Sequence, residues 1–284
     1  MDMNFHRTIG AFAVVLAGVG LSSSALATPH QLPFTYGYAT LGEGESEVEA
    51  ITDMNMQRVY ADPTGQDLTR KLYEPQYRLT TEYEYGITNR IELGLYQAFT
   101  STPQSGGDNA LGFDGLKWRI RGRLAEAGTW PVDVSLYLEL ETMHDELSLE
   151  EKVNLEKDFG RLRLMANLWV EQPLSRPFDS PDNGQKLTFV VNPTAGFSVE
   201  LLPQLHLGVE YWARGMLVPI GNTDQERNDN AVHHFVGPSV HANFGRFWFT
   251  VAGYLQVSNL DKPPAGDADA YGPFWLRSMI GLEL

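Results

Sequence analysis

The sequence predicts an all-β fold: an antiparallel transmembrane β-barrel of about twelve strands, with short periplasmic turns and longer external loops. Three observations carry this reading. Hydrophobic residues alternate with a period of two, the alternating segments run to about 11–15 residues, and the connections between them are alternately tight and long. Strands of soluble domains usually span ~5–6 residues, whereas a tilted strand needs ~9–11 to cross a bilayer.

The chain opens with a short start containing Arg7, then an apolar run from Ile9 to Leu21, and small residues ending in Ala25-Leu26-Ala27. This is the layout of a cleaved secretory signal peptide, residues 1–27, with the mature chain starting at Thr28. The run falls short of the ~20 residues of a spanning helix, which disfavours the alternative of a retained anchor. Residues 28–44 are expected as an N-terminal periplasmic segment, and residues 45–284 as the barrel.

Strand periodicity is clearest where Tyr77, Leu79, Thr81, Tyr83, Tyr85 and Ile87 alternate with Arg78, Thr80, Glu82 and Glu84. Leu116, Trp118 and Ile120 alternate in the same way with Lys117, Arg119, Arg121 and Arg123. The next segment sets Val132 to Leu140 against Asp133, Glu139 and Glu141. Continued along the chain, the pattern gives segments at 45–57, 74–87, 90–100, 113–125, 131–143, 148–158, 161–172, 186–200, 205–217, 231–243, 246–258 and 272–284. Tight connections fall at Thr88-Asn89, Glu126 to Trp130, Asp158-Phe159-Gly160, Leu202-Pro203-Gln204 and Asn243-Phe244-Gly245. Long polar ones fall at Asp62 to Lys71, Ser101 to Asn109, Ser175 to Gly184, Gly221 to Asn230 and Asp261 to Ala270, with His144 to Leu147 a short exception. An even strand number places both termini in the periplasm.

Composition agrees. The 284 residues are 43% hydrophobic, and their mean hydropathy of −0.25 fits a barrel that faces only one parity to lipid. Thirty-six acids against 21 bases argue against a nucleic-acid partner. The absence of cysteine removes disulfides, thiolate metal sites and thiol nucleophiles. Tyr83, Tyr85, Phe197, Phe247 and Phe249 would form an interfacial aromatic belt, and Leu284 replaces the aromatic that often ends such barrels. A secreted soluble barrel is the alternative, with the apolar parity turned inward.

The stretch from Glu82 to Tyr96, Glu-Tyr-Glu-Tyr-Gly-Ile-Thr-Asn-Arg-Ile-Glu-Leu-Gly-Leu-Tyr, resembles a hairpin found in a large group of proteobacterial outer-membrane barrels. Phe113 to Arg119 and Lys157 to Arg161 are similar to later parts of the same group, the transporter-like meta-pathway phenol-degradation family. The likeness is best from about residue 45 to 170. It implies an outer-membrane protein of a Gram-negative bacterium, with a channel for hydrophobic or aromatic solutes, and it carries over no catalytic residue.

The inward parity supplies the candidate pore lining: Arg78 and Glu82, then Glu92, then the ladder Lys117, Arg119, Arg121 and Arg123. The facing strand offers Asp133, Glu139 and Glu141. Later strands add Arg163, Trp169 and Glu171, then Glu210, Trp212 and Arg214. Antiparallel pairing should set Arg123 beside Asp133 and Glu92, and Lys117 beside Glu139 and Glu141. These charges form either an electrostatic track for a solute or an internal salt-bridge network that fills a narrow barrel. Inward acids outnumber inward bases, so an open lumen is expected to prefer cations. The inward aromatics Tyr96, Tyr137, Trp169, Trp212, Trp248, Tyr254 and Trp275 either stack on a planar solute or plug the barrel.

Chemistry beyond passage has weak support. Ser239 and His241 share a face, with His233, His206 and Glu210 nearby, but no nucleophile motif accompanies them. His206 and His241 lack a positioned third metal ligand. No catalytic residue, metal or cofactor is therefore assigned, and a lipid hydrolase stays a minor alternative. The partners expected are outer-membrane lipid and lipopolysaccharide, the barrel-assembly machinery and a small solute. The principal rival function is a closed structural or surface-interaction barrel.

Overall fold

The computed structural model describes residues 30–60, 71–101, 111–143, 147–175, 188–214, 216–219, 233–258, 268–269 and 272–284. The signal-peptide segment and nearly all of the long connections lie outside these residues, as do the loop acids Asp224, Glu226, Asp229, Asp261 and Asp267.

The strands are β1 (Ser46–Tyr60), β2 (Lys71–Thr88), β3 (Ile91–Thr100), β4 (Gly112–Arg123), β5 (Asp133–Met143), β6 (Leu147–Phe159), β7 (Leu162–Ser175), β8 (Thr188–Val191), β9 (Thr194–Leu202), β10 (Leu205–Arg214), β11 (Met216–Pro219), β12 (His233–Phe244), β13 (Phe247–Gln256), β14 (Ala268–Asp269) and β15 (Phe274–Glu283). All pairings are antiparallel, and β1 pairs with β15, so the sheet closes into a barrel of twelve strands. Three of those twelve are interrupted and come in two pieces. Between β8 and β9, Pro193 brings no N–H to the ladder, yet its carbonyl accepts the Ala213 N–H at 2.9 Å and the Asn192 N–H still reaches Trp169 O at 2.8 Å. β10 continues as β11, whose partner is β8. β14 extends the line of β15 along β1.

Closure leaves no strand edge to hydrocarbon, which is the condition a spanning sheet must meet. The large apolar side chains that alternate with lumen residues are turned out: Trp118 is 52% exposed, Leu138 42% and Ile280 48%. A continuous outward apolar girdle is the reverse of a soluble core, so the hydrophobic effect seats this barrel in a bilayer. Tyr83, Tyr85, Phe197 and Phe247 are exposed near the end where the short turns lie. That end is periplasmic by the usual rule for such barrels. Gly160 and Gly245 take positive φ in two of its turns, as tight hairpins require.

The segment before β1 does not lie outside the barrel, where a periplasmic segment was expected. His30 to Leu41 is almost entirely buried and runs through the lumen. It rises from His30, against Trp248, to Phe34, stacked on Trp212, and descends through Tyr36 and Tyr38 to Leu41, held by Glu92. Gly42 then passes so close to Gly86 of β2 that a Cβ there would lie 1.9 Å from the Gly42 carbonyl oxygen. Only glycine permits that approach.

Candidate functional site

A chain lying inside a barrel without a strand partner must find acceptors for its amides, because a buried unpaired N–H is costly. Wall side chains supply them. The amide of Phe34 donates to Glu210 Oε1 at 2.9 Å, and Tyr36 to Asn167 Oδ1 at 2.7 Å. Tyr38 donates to Glu156 Oε2 at 2.9 Å and Leu41 to Glu92 Oε2 at 2.8 Å. Asn167 returns a bond from Nδ2 to the Tyr36 carbonyl at 2.9 Å. The bonds follow every second residue from Phe34 to Tyr38, as an extended chain dictates. The segment is therefore a built plug.

Side-chain packing completes the seat. Leu32 lies over the lumen-facing Gly196 and Gly208, where added Cβ atoms would approach it to 2.6 and 2.7 Å. Phe34 stacks on Trp212 at 4.4 Å and lies beneath the Arg277 guanidinium at 3.7 Å. Arg277 is itself fixed by Asp53 at 2.6 and 2.8 Å. Lys152 stands amid Tyr36, Tyr137 and Trp169, 4.3–4.4 Å from each ring, with Glu150 at 2.6 Å. Such desolvated cation–π contacts are worth up to about 2 kcal/mol each.

Below the plug apex, toward the periplasm, lies a charge lattice. Arg119 contacts Glu82 at 3.0 Å, Glu84 at 2.5 Å and Glu92 at 2.7 Å, and it donates to the Tyr96 hydroxyl at 2.9 Å. Arg121 shares Glu92 at 2.7 Å. Gly94 makes the space for Arg119, whose Nε would lie 2.8 Å from a Cβ there. At the periplasmic rim Arg123 turns away from Asp133, contrary to the expected pairing. It donates to the Asn89 carbonyl, approaches Glu126 at 3.6 Å and lies over Tyr38. The turn brings Glu126 to it at sequence separation three, while Asp133 accepts the Gly128 amide at 2.6 Å. Hydrogen bonding from Arg90 at 2.7 Å, with Arg123 nearby, holds the Glu126 carboxyl below its ordinary range. Arg163 pairs at the same rim with Asp158 at 2.7 Å and Glu156 at 3.2 Å.

Above the plug, toward the long connections, the lumen opens into a chamber of about 300 Å³. Phe34 and Tyr36 form its floor. Its walls carry Arg78, Lys117, Glu139, Glu141, Trp169, Glu171, Trp212 and Arg214 from the sequence-derived set. Lys117 bridges Glu139 at 3.1 Å and Glu141, and Arg214 reaches Glu171 at 3.4 Å. Arg78 lines the same chamber and makes no ion pair with another described residue. Charged walls, indole faces and an aromatic floor suit a small solute with a planar apolar body and a polar end.

The structure thus divides the candidate lining into four groups. Arg78, Lys117, Glu139, Glu141, Trp169, Glu171, Trp212 and Arg214 surround the chamber. Glu82, Glu92, Arg119 and Arg121 form the lattice. Arg123, Asp133 and Arg163 lie at the rim, and Glu210 holds the plug. The sequence reading missed the plug itself and the lumen residues Glu47, Glu49, Asp53 and Lys152. Phe34, Tyr36 and Tyr38 were a signal: aromatics at period two in a stretch assigned no partner.

The residues weighed for catalysis are occupied otherwise. Ser239 Oγ donates to the Gln31 carbonyl at 3.2 Å, and His241 Nδ1 lies 2.8 Å from Thr250 Oγ1. His206 and His241 have ring centroids 5.7 Å apart.

The sequence matches no protein-family model and no curated protein. Among solved structures, an outer-membrane channel from Pseudomonas putida F1 is similar, with a TM-score of 0.57 and 14% identity, over 87% of this chain and 98% of that one. The translocator domain of the autotransporter NalP from Neisseria meningitidis overlaps more loosely, at TM-score 0.46 and 12% identity, over 85% of this chain and 88% of that one. A mutant of the TodX monoaromatic hydrocarbon channel scores 0.44 at 8% identity, over 85% of this chain and 90% of that one. The first likeness is one of fold. Together with the girdle and closure described above, it defines the class as a twelve-stranded membrane β-barrel with an internal N-terminal plug.

Proposed function

We propose that this barrel is an outer-membrane conduit for small solutes, gated by its own residues 30–41. The observation that carries the reading is the chamber above Phe34 and Tyr36, which the plug floors. The plug is held by single hydrogen bonds and ring contacts rather than by a strand ladder, so its release costs far less than opening the wall. The similar Pseudomonas putida protein is itself an outer-membrane channel. The resemblance of the Glu82 to Tyr96 hairpin to the phenol-degradation family, and the indoles of Trp169 and Trp212, favour hydrophobic or aromatic compounds as the solute. Export directed by residues 1–27, assembly by the barrel-insertion machinery and contact with lipopolysaccharide belong to the same reading.

The test is conductance in planar bilayers, comparing the mature barrel with a variant lacking residues 31–40, both verified as folded by heat-dependent gel migration. The gated conduit predicts rare openings in the intact protein and steady ones in the deletion. A folded deletion variant that stays silent would instead establish the closed structural barrel, for which the dense lattice around Arg119 is the supporting feature.

A further inference from the structure

The lattice does not balance the acids around it. Glu47, Glu49, Glu82, Glu84 and Glu92 are each no more than 2% exposed, and the guanidinium groups buried with them are Arg119 and Arg121. Arg119 and Arg121 are spent on Glu82, Glu84 and Glu92. Glu47 accepts a bond from Trp248 Nε1. Glu49 is left with both carboxylate oxygens buried and without a hydrogen-bond partner, and Glu84 Oε2 is in the same condition. A carboxyl in such surroundings must be neutralised, either by a proton or by a cation.

The plug brings a ligand to this spot. His30 is 4% exposed, its Nε2 has no hydrogen-bond partner, and that atom points at Glu49 Oε1 from 3.6 Å. The ring is oriented by an edge contact with Tyr36 at 4.7 Å, and its carbonyl accepts from Thr250 Oγ1 at 2.5 Å. Ligand atoms of His30, Glu49 and Glu84 lie within 4.8 Å of one another. A zinc ion with bonds of about 2.0–2.1 Å holds its ligands roughly 3.4 Å apart, so small side-chain rotations close the set.

We propose that His30, Glu49 and Glu84 form a buried site for a divalent transition metal, which ties the start of the plug to β1 and β2 of the wall. One imidazole nitrogen with two carboxylates suits zinc or manganese better than calcium, which prefers six to eight oxygens. The site depends on the plug's geometry alone and stands whether or not the barrel conducts.

Mature protein purified from membranes would be stripped with a chelator and titrated with zinc and with manganese. Bound metal would be counted after dialysis, and Trp248 emission followed, since its ring lies 5.9 Å from that of His30. The expected result is one equivalent retained per chain with a change in emission, and at least tenfold weaker binding in His30→Ala and Glu49→Gln. His206→Ala, at the periplasmic rim, should bind as the wild type does. Folded wild-type protein that retains no stoichiometric metal overturns the proposal, whatever the variants do. So does equal binding by wild type and Glu49→Gln, whose amide substitution eases rather than strains the buried cluster.

Discussion

The chamber above the plug and the lattice below it are built from the same strand ladder, and they use its charges for different ends. Lys117 and Arg119 are two residues apart on β4 and both point inward. Lys117 retains 21% exposure of its side chain in the chamber, whereas Arg119 has none. A charge that still meets water can exchange its partners for a solute, and a dry one cannot, because losing a partner leaves an uncompensated buried ion. Depth along the lumen, rather than residue type, separates a hydrated charge from a structural filler.

That contrast can be broken at several points. The largest effect is expected from removing residues 31–40, which should convert a near-silent barrel into one conducting steadily, about tenfold or more above the intact protein for a pore cleared of its constriction. Next is Arg119→Met, which strands Glu82 and Glu84 and leaves Glu92 to Arg121. It should cost about 3–5 kcal/mol of stability, read as an earlier midpoint of urea unfolding in detergent micelles. Lys117→Met should cost less, about 1–3 kcal/mol, because Glu139 keeps the Tyr137 hydroxyl and Glu141 the Ser148 hydroxyl, and it should shift the reversal potential toward stronger cation preference. Equal losses of stability at the two positions would erase the distinction between the regions.

Two smaller effects sharpen the seat of the plug. Gly208→Ala pushes a Cβ against Ser239 Oγ and Leu32, both of which seat the plug, so a thiol introduced as Phe34→Cys, unique in a chain without cysteine, should be labelled faster from the external side. Unchanged labelling would mean that these two contacts do not anchor the segment. Trp212→Ala removes the indole under Phe34 and should give a modest rise in conductance; no change there would count against the indole as part of the constriction.

The barrel was legible because its signals are local. Period two, strand length and turn spacing are each contained in a dozen residues, and the strict outward parity of Leu136, Leu138 and Leu140 needs no knowledge of a partner. Pairing of Lys117 with Glu139 and Glu141 also followed from register between consecutive strands. Arg123 escaped the same reasoning because it sits beside a turn, where Glu126 competes at a distance that strand register does not describe.

By itself, then, the sequence determined the wall: the strands, which face meets lipid, and which charges share the lumen. The tertiary structure alone decided what fills it. Glu210 and Glu92 looked like pore charges, but, like Glu156, they are acceptors for backbone amides of a segment 51 to 176 residues away in the chain. No periodicity records such a contact, since it arises only when closure surrounds the segment and its amides, cut off from water, must bond to whatever the wall presents.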